Sequence, residues 1–240
     1  MTDAPLLPVL LLGLLFGIQH ATDPDHVIAV ATIVARTGRF GAGALVGAFW
    51  GVGHTVTVTA VGLTLIGFDV PVPPRVGLLL ELLVALMLVG LGVSRIVWAF
   101  RDADVVPGPH WHPHVHPPAR LSRALQMVGP AQALRSALVG LVHGLAGSAA
   151  VALLVLSTIR GIAGALGYLL LFGVGAILGM TAITGLLSLP FTIRAPRMRR
   201  ARRALALTTG TVSLAFGLYL AFQIGIVDGL FLARAAAALR

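Results

Sequence analysis

His20-Ala-Thr-Asp23-Pro-Asp25-His26 lies inside a segment, from about Leu6 to Ala35, that is otherwise nearly all Leu, Val, Ile, Ala and Gly. Imidazoles and carboxylates in such surroundings are costly unless they pair, face water or bind something. They are also the nitrogen and oxygen donors that first-row divalent metals take. The chain has no Cys, so any metal would be left to His, Asp, Glu, Thr and backbone oxygens. The chemistry this predicts is a cation site within the membrane. Imidazole and carboxylate suit Ni²⁺ and Co²⁺, and equally Zn²⁺, Mn²⁺ and Fe²⁺, but poorly suit Cu⁺.

Geometry constrains the motif. In an unbroken α-helix His20 and His26 would stand about 9 Å apart along the axis and roughly 120° around it, too far to share an ion. Pro24 has no N–H, and its ring clashes with the carbonyl four residues earlier, that of His20. A helix broken inside the motif is therefore expected, with Thr22 and Asp23 available to cap its second half. Asp25, beside His26, is the stronger ligand candidate of the two aspartates.

Two further histidines extend the set. His54, in Trp50-Gly-Val-Gly-His54-Thr, and His143 fall near the middle of their own apolar segments, at a depth like that of His20. The predicted metal set is His20, Asp23, Asp25, His26, His54 and His143. Gly43, Gly47 and Gly51 form a small-residue seam of the kind that lets helices approach closely, which would allow the second span to meet the first. His110, His112, His114 and His116 alternate in a connection. In an extended chain alternate side chains point one way, so these four could converge on one ion. Glu81 reads as an interfacial acid near Arg75.

The elements that must position these residues are membrane helices. The 240 residues are 58% hydrophobic and 10% charged, with mean hydropathy +0.97, whereas a soluble domain carries about 25% charged residues. Six stretches reach the roughly 20 apolar residues a span needs: Leu6–Ala35, Gly41–Gly67, Val76–Phe100, Ala131–Ile159, Gly161–Leu189 and Ala204–Val227. The N-terminal segment lacks a basic leader and reads as a span rather than a signal peptide. The formal charge of +9 comes wholly from Arg. Arg36 and Arg39, then Arg101, Arg120 and Arg123, then the run Arg194–Arg203 all fall on one side, which the positive-inside rule makes cytoplasmic with both termini outside. That reading takes the Arg run as a membrane anchor and not a nucleic-acid patch. Arg95 and Arg135, near span ends, are expected to snorkel to the same surface.

The two halves resemble each other. Gly17-Ile-Gln-His20 aligns with Gly140-Leu-Val-His143, and Phe49–Gly53 with Leu171–Gly175 at nearly the same offset. An odd number of spans per unit inverts the second copy, the plan of many secondary transporters. The expected fold is thus all-α and polytopic: about six transmembrane helices in two inverted three-helix repeats, with the first helix broken. Residues 1–100 would form the first repeat, 101–130 a His-rich cytoplasmic loop and 131–240 the second repeat.

These residues resemble a known family. His20-x-x-x-x-Asp25-His26 resembles the hallmark motif of the nickel/cobalt transporter family, with Pro24 for a usual Ala and Gln19 for a usual Arg. Gly53-His54-Thr-Val-Thr resembles that family's second histidine motif. Leu141-Val-His143-Gly-Leu-Ala-Gly-Ser148 is similar to the superfamily's urease-accessory-type membrane proteins. Later family motifs carry acids where this chain has Ala146, Gly147 and Ser148. The resemblance implies a secondary transporter moving Ni²⁺ or Co²⁺ as substrate across the cytoplasmic membrane, with no resident cofactor and with nickel-enzyme maturation proteins as conceivable partners. Alternatives are efflux of the same metals, export of another small solute or anion on the same scaffold, and an intramembrane metalloenzyme. The membrane histidines outside the first motif are single and have no glutamate beside them, which disfavours the enzyme. The chain has no G-x-x-x-x-G-K-[ST] phosphate loop, which argues against ATP hydrolysis by this polypeptide.

Overall fold

A computed structural model describes residues 6–34, 39–68, 73–101, 127–144, 159, 162–189 and 198–231. The described residues form helices and no strand. In chain order the helices are α1 (Leu6–His20), α2 (Pro24–Val34), α3 (Phe40–Phe68), α4 (Pro74–Arg101), α5 (Pro130–Gly144), α6 (Ile162–Ser188) and α7 (Met198–Phe222), the last extended by a π-helical turn over Gln223–Val227. The protein is a polytopic helical membrane protein. α3, α4, α6 and α7 are long and apolar enough to cross a bilayer, and α1 and α2 are shorter apolar helices.

Burial is distributed as a bilayer demands. Along α1, Leu7, Leu11, Leu15 and Ile18 face outward, and along α4 so do Val76, Leu79, Leu83 and Leu86. Spacings of three and four keep each set on one helix face, an apolar exterior suited to lipid. Polar residues lie inside: His20, His26, His54, His143, Ser136, Thr184, Ser188 and Ser213 are all buried. Hydrogen bonds between helices tie this interior together, from Thr57 Oγ1 to the Leu141 carbonyl (3.0 Å) and from Ser213 Oγ to the Leu88 carbonyl (2.9 Å).

The first span is broken where Pro24 requires it. His20 O, which residue 24 has no N–H to reach, instead accepts the Asp23 amide at 3.1 Å. Gln19 O accepts both the Thr22 amide (2.8 Å) and the Thr22 hydroxyl (2.6 Å). α2 then starts on Pro24, the position where a missing N–H costs least.

Helix pairing follows an exchange pattern. α1 packs on α6 and α5 packs on α3, while α3 with α6 and α4 with α7 form the two central pairs. The closest approaches match residue for residue. A Cβ on Gly17 would strike the Phe172 carbonyl, and one on Gly140 would strike the carbonyl of Trp50, the aligned residue. Gly175 against the Leu14 carbonyl pairs in the same way with Gly53 against the Ala137 carbonyl. These are the contacts that a twofold exchange of the two aligned halves generates.

Four details differ from the expectations drawn from sequence. The Gly43, Gly47 and Gly51 seam faces Ser188, Met180 and Ile177 of α6, not the first span; the second span meets the first at His54, whose Nε2 lies 3.1 Å from His20 Nε2. α7 begins at Met198, so Arg199, Arg200, Arg202 and Arg203 extend a helix rather than occupy a loop, consistent with arginine's good helix propensity. Arg95 does not snorkel. It is 3% exposed, with its guanidinium 4.4 Å from the Trp98 ring centre one turn along. Glu81 makes no ion pair with Arg75 among the described residues. Six positions separate them, placing them about 120° apart on the helix. The His110–His116 connection and Ala146–Ser148 lie outside the described residues.

Candidate metal centre

The break between α1 and α2 brings the two histidines of the motif together. His20 ends α1 and His26 lies in the first turn of α2, and their ring centres are 4.5 Å apart. His54 comes from the middle of α3 and His143 from the last turn of α5. The glycines around them set this spacing. A side chain at Gly144 would run into the His54 carbonyl, and one at Gly140 into the Trp50 carbonyl, so α5 can lie on α3 only because both are glycine.

Around these rings two groups of donors form. His20, His26 and His54 each offer a ligand atom within 4.8 Å of the others, and so do Asp25, His26 and His143. His20 Nε2 and His54 Nε2 face each other at 3.1 Å. Two ligands at right angles on an ion with bonds of about 2.1 Å are about 3.0 Å apart, so this pair already has the spacing of two neighbouring ligands. All four imidazoles are at most 6% exposed.

The carboxylates are placed differently from each other. Asp25 accepts from His143 Nε2 at 2.9 Å through one oxygen and from His26 Nδ1 at 3.1 Å through the other, joining α2 to α5 across 118 residues of sequence. Asp23 accepts from His20 Nδ1 at 2.9 Å, and its side chain is 36% exposed. It lies outside both donor groups and makes no cap at the start of α2. It occupies the position of a carboxylate that orients a ligating histidine, leaving the opposite ring nitrogen free for an ion.

This pattern assigns the tautomers. His20 donates from Nδ1 to Asp23, so its Nε2 carries a lone pair and His54 Nε2–H donates to it. His26 donates from Nδ1, so Nε2 carries a lone pair, and that nitrogen is buried with no hydrogen-bond partner. Leaving such a group unpaired costs about 1–3 kcal/mol, which a bound cation would offset. These buried donors, with one carboxylate in contact, are groups that could hold a metal ion.

The chain is 37% identical over 231 residues, 96% of its length, to the urease accessory protein UreH of Bacillus sp. (strain TB-90), of which it covers 98%. It belongs to the nickel/cobalt transporter superfamily. No family model and no solved structure matches the chain. In this member of the superfamily His20, Asp25 and His26 lie against His54 and His143.

Two residues of the centre were not foreseen from sequence. The Trp50 ring lies 5.5 Å from His143, and the Phe172 ring 5.6 Å from His20. They are repeat-equivalent aromatics, each walling the repeat-equivalent histidine contributed by the other half. Trp50 precedes His54 by four residues and so shares its helix face; aligning the halves and marking their aromatics would have found both.

Proposed function

We propose that this protein is a secondary transporter that moves Ni²⁺ or Co²⁺ across the cytoplasmic membrane, taking the ion as substrate at a midplane site of His20, Asp25, His26, His54 and His143. The observation that carries this reading is the convergence of four buried imidazoles and Asp25 at the break of the first span. A structural role for the rings would not leave the His26 Nε2 lone pair buried without a partner. The similarity to a urease accessory protein favours nickel, the metal of urease, and supply of that metal to an enzyme under maturation. Loss of ligand protons on binding, and their return on release, provides a means of coupling transport to a proton gradient.

Radioactive nickel flux into proteoliposomes tests this, with cobalt, zinc and manganese as competitors and with an imposed pH gradient in a parallel arm. Wild-type protein should carry nickel, cobalt should compete best, and His26→Ala should carry none while still inserting. Undiminished flux in the His26 variant would remove the site assignment, and flux indifferent to the gradient would remove proton coupling. Cell nickel content in a strain lacking the gene decides direction: it falls if the protein imports and rises if it exports.

A further inference from the structure

We infer that the centre holds its ion at two alternative positions that share His26, and that the ion passes from one to the other during transport. This rests on the proposed metal transport. The first position is bounded by His20, His26 and His54, and the second by Asp25, His26 and His143.

An imidazole has two nitrogens on opposite sides of its ring, and both cannot reach one ion. His26 Nδ1 is 3.1 Å from Asp25 Oδ1, beside the oxygen that meets His143, which assigns Nδ1 to the second position. Nε2 has no partner and is the nitrogen left for the first. A neutral imidazole carries a single lone pair, so His26 serves one position at a time. With its proton on Nδ1 and held by Asp25, it is set for the first. An ion entering the second position takes the place of the two protons that now join Asp25 to His26 and His143; the His26 proton moves to its Nε2 and the His143 proton to its Nδ1, both unpartnered. Occupancy of the two positions is therefore mutually exclusive.

The scaffold supplies a reason for two positions. His20 and His143 are repeat-equivalent, and each is walled by the repeat-equivalent aromatic of the other half. Exchange of the two halves interchanges these histidines and leaves the ion between them. The decoration is unequal, however, because the aligned counterpart of His54 is Ala176. One position thus has three nitrogens, and the other has two nitrogens and a carboxylate.

Equilibrium dialysis with Ni²⁺ and visible absorption of bound Co²⁺, on purified full-length protein, test the inference. Wild type should bind one ion per chain. His54→Ala and His143→Ala should each still bind one ion but show different Co²⁺ spectra, since one retains the carboxylate position and the other the all-nitrogen position. Both should lose transport, and His26→Ala should lose binding. Asn at 54 or 143 serves for any alanine variant that does not purify as a monodisperse species. Loss of binding in either the 54 or the 143 variants, two ions per wild-type chain, or identical Co²⁺ spectra would each overturn the two-position arrangement. Absence of binding by wild type would instead overturn the transport reading on which it rests.

Discussion

A histidine that binds a metal has one nitrogen for the ion and another for the group that fixes its ring, and on the proposed reading Asp23, which accepts from His20 Nδ1, takes the second part. Losing such an outer carboxylate typically lowers metal affinity about 10- to 100-fold. Asp23→Ala should do so by dialysis, and Asp23→Asn, which keeps an acceptor oxygen, should recover part of the loss. Losing the one hydrogen bond to buried His20 should cost about 0.5–1.5 kcal/mol of stability; unchanged affinity with lowered stability would make Asp23 merely structural. The site's members were legible in sequence because polar residues in hydrocarbon need a purpose. Their pairings were not. Asp25 meets His143 only through the packing of α5 on α3, and no local spacing encodes a contact across 118 residues.

Helices were legible from apolar run lengths, and the break in the first span from one proline, since a missing N–H acts within a single turn. The address of each helix was harder to read. A glycine seam states that some backbone approaches closely without stating which, and Gly43, Gly47 and Gly51 met α6 instead of the first span. The start of α7 escaped for a related reason, because hydropathy marks where a helix enters lipid and not where its hydrogen bonds begin. These contacts give a paired test. Gly140→Ala drives a methyl into the Trp50 carbonyl, whereas Gly90→Ala meets nothing within 4 Å. Overpacking of this kind costs about 1–3 kcal/mol, while alanine at an unobstructed helical position gains about 0.5–1 kcal/mol over glycine. Detergent-solubilised Gly140→Ala should therefore melt lower than wild type and lose nickel transport as His143 is displaced from Asp25, with Gly90→Ala melting no lower. Equal melting of the two variants would mean that the α3–α5 contact is looser than described.

Orientation belongs to the whole molecule, because only the summed charge of all connections sets it. α4 has Arg75 at one end and Arg101 at the other, both exposed. Its 28 residues measure about 42 Å, more than the hydrocarbon core of about 30 Å, so the two arginines sit at opposite faces of the bilayer. Arg203 at the foot of α7 stacks 5.2 Å from the Phe100 ring, which places the α7 arginines on the Arg101 side. That face should be cytoplasmic. The absence of cysteine makes the chain ready for single-cysteine labelling, and the remaining arginines keep the charge bias when one is replaced. In intact spheroplasts an impermeant maleimide should label Arg75→Cys and leave Arg101→Cys unlabelled until the membrane is permeabilised. The reverse pattern would turn the molecule over, moving both termini inside and the His110–His116 connection outside. Those histidines would then meet the ion on the opposite side of the membrane, so this labelling result determines whether they can act on metal inside or outside the cell.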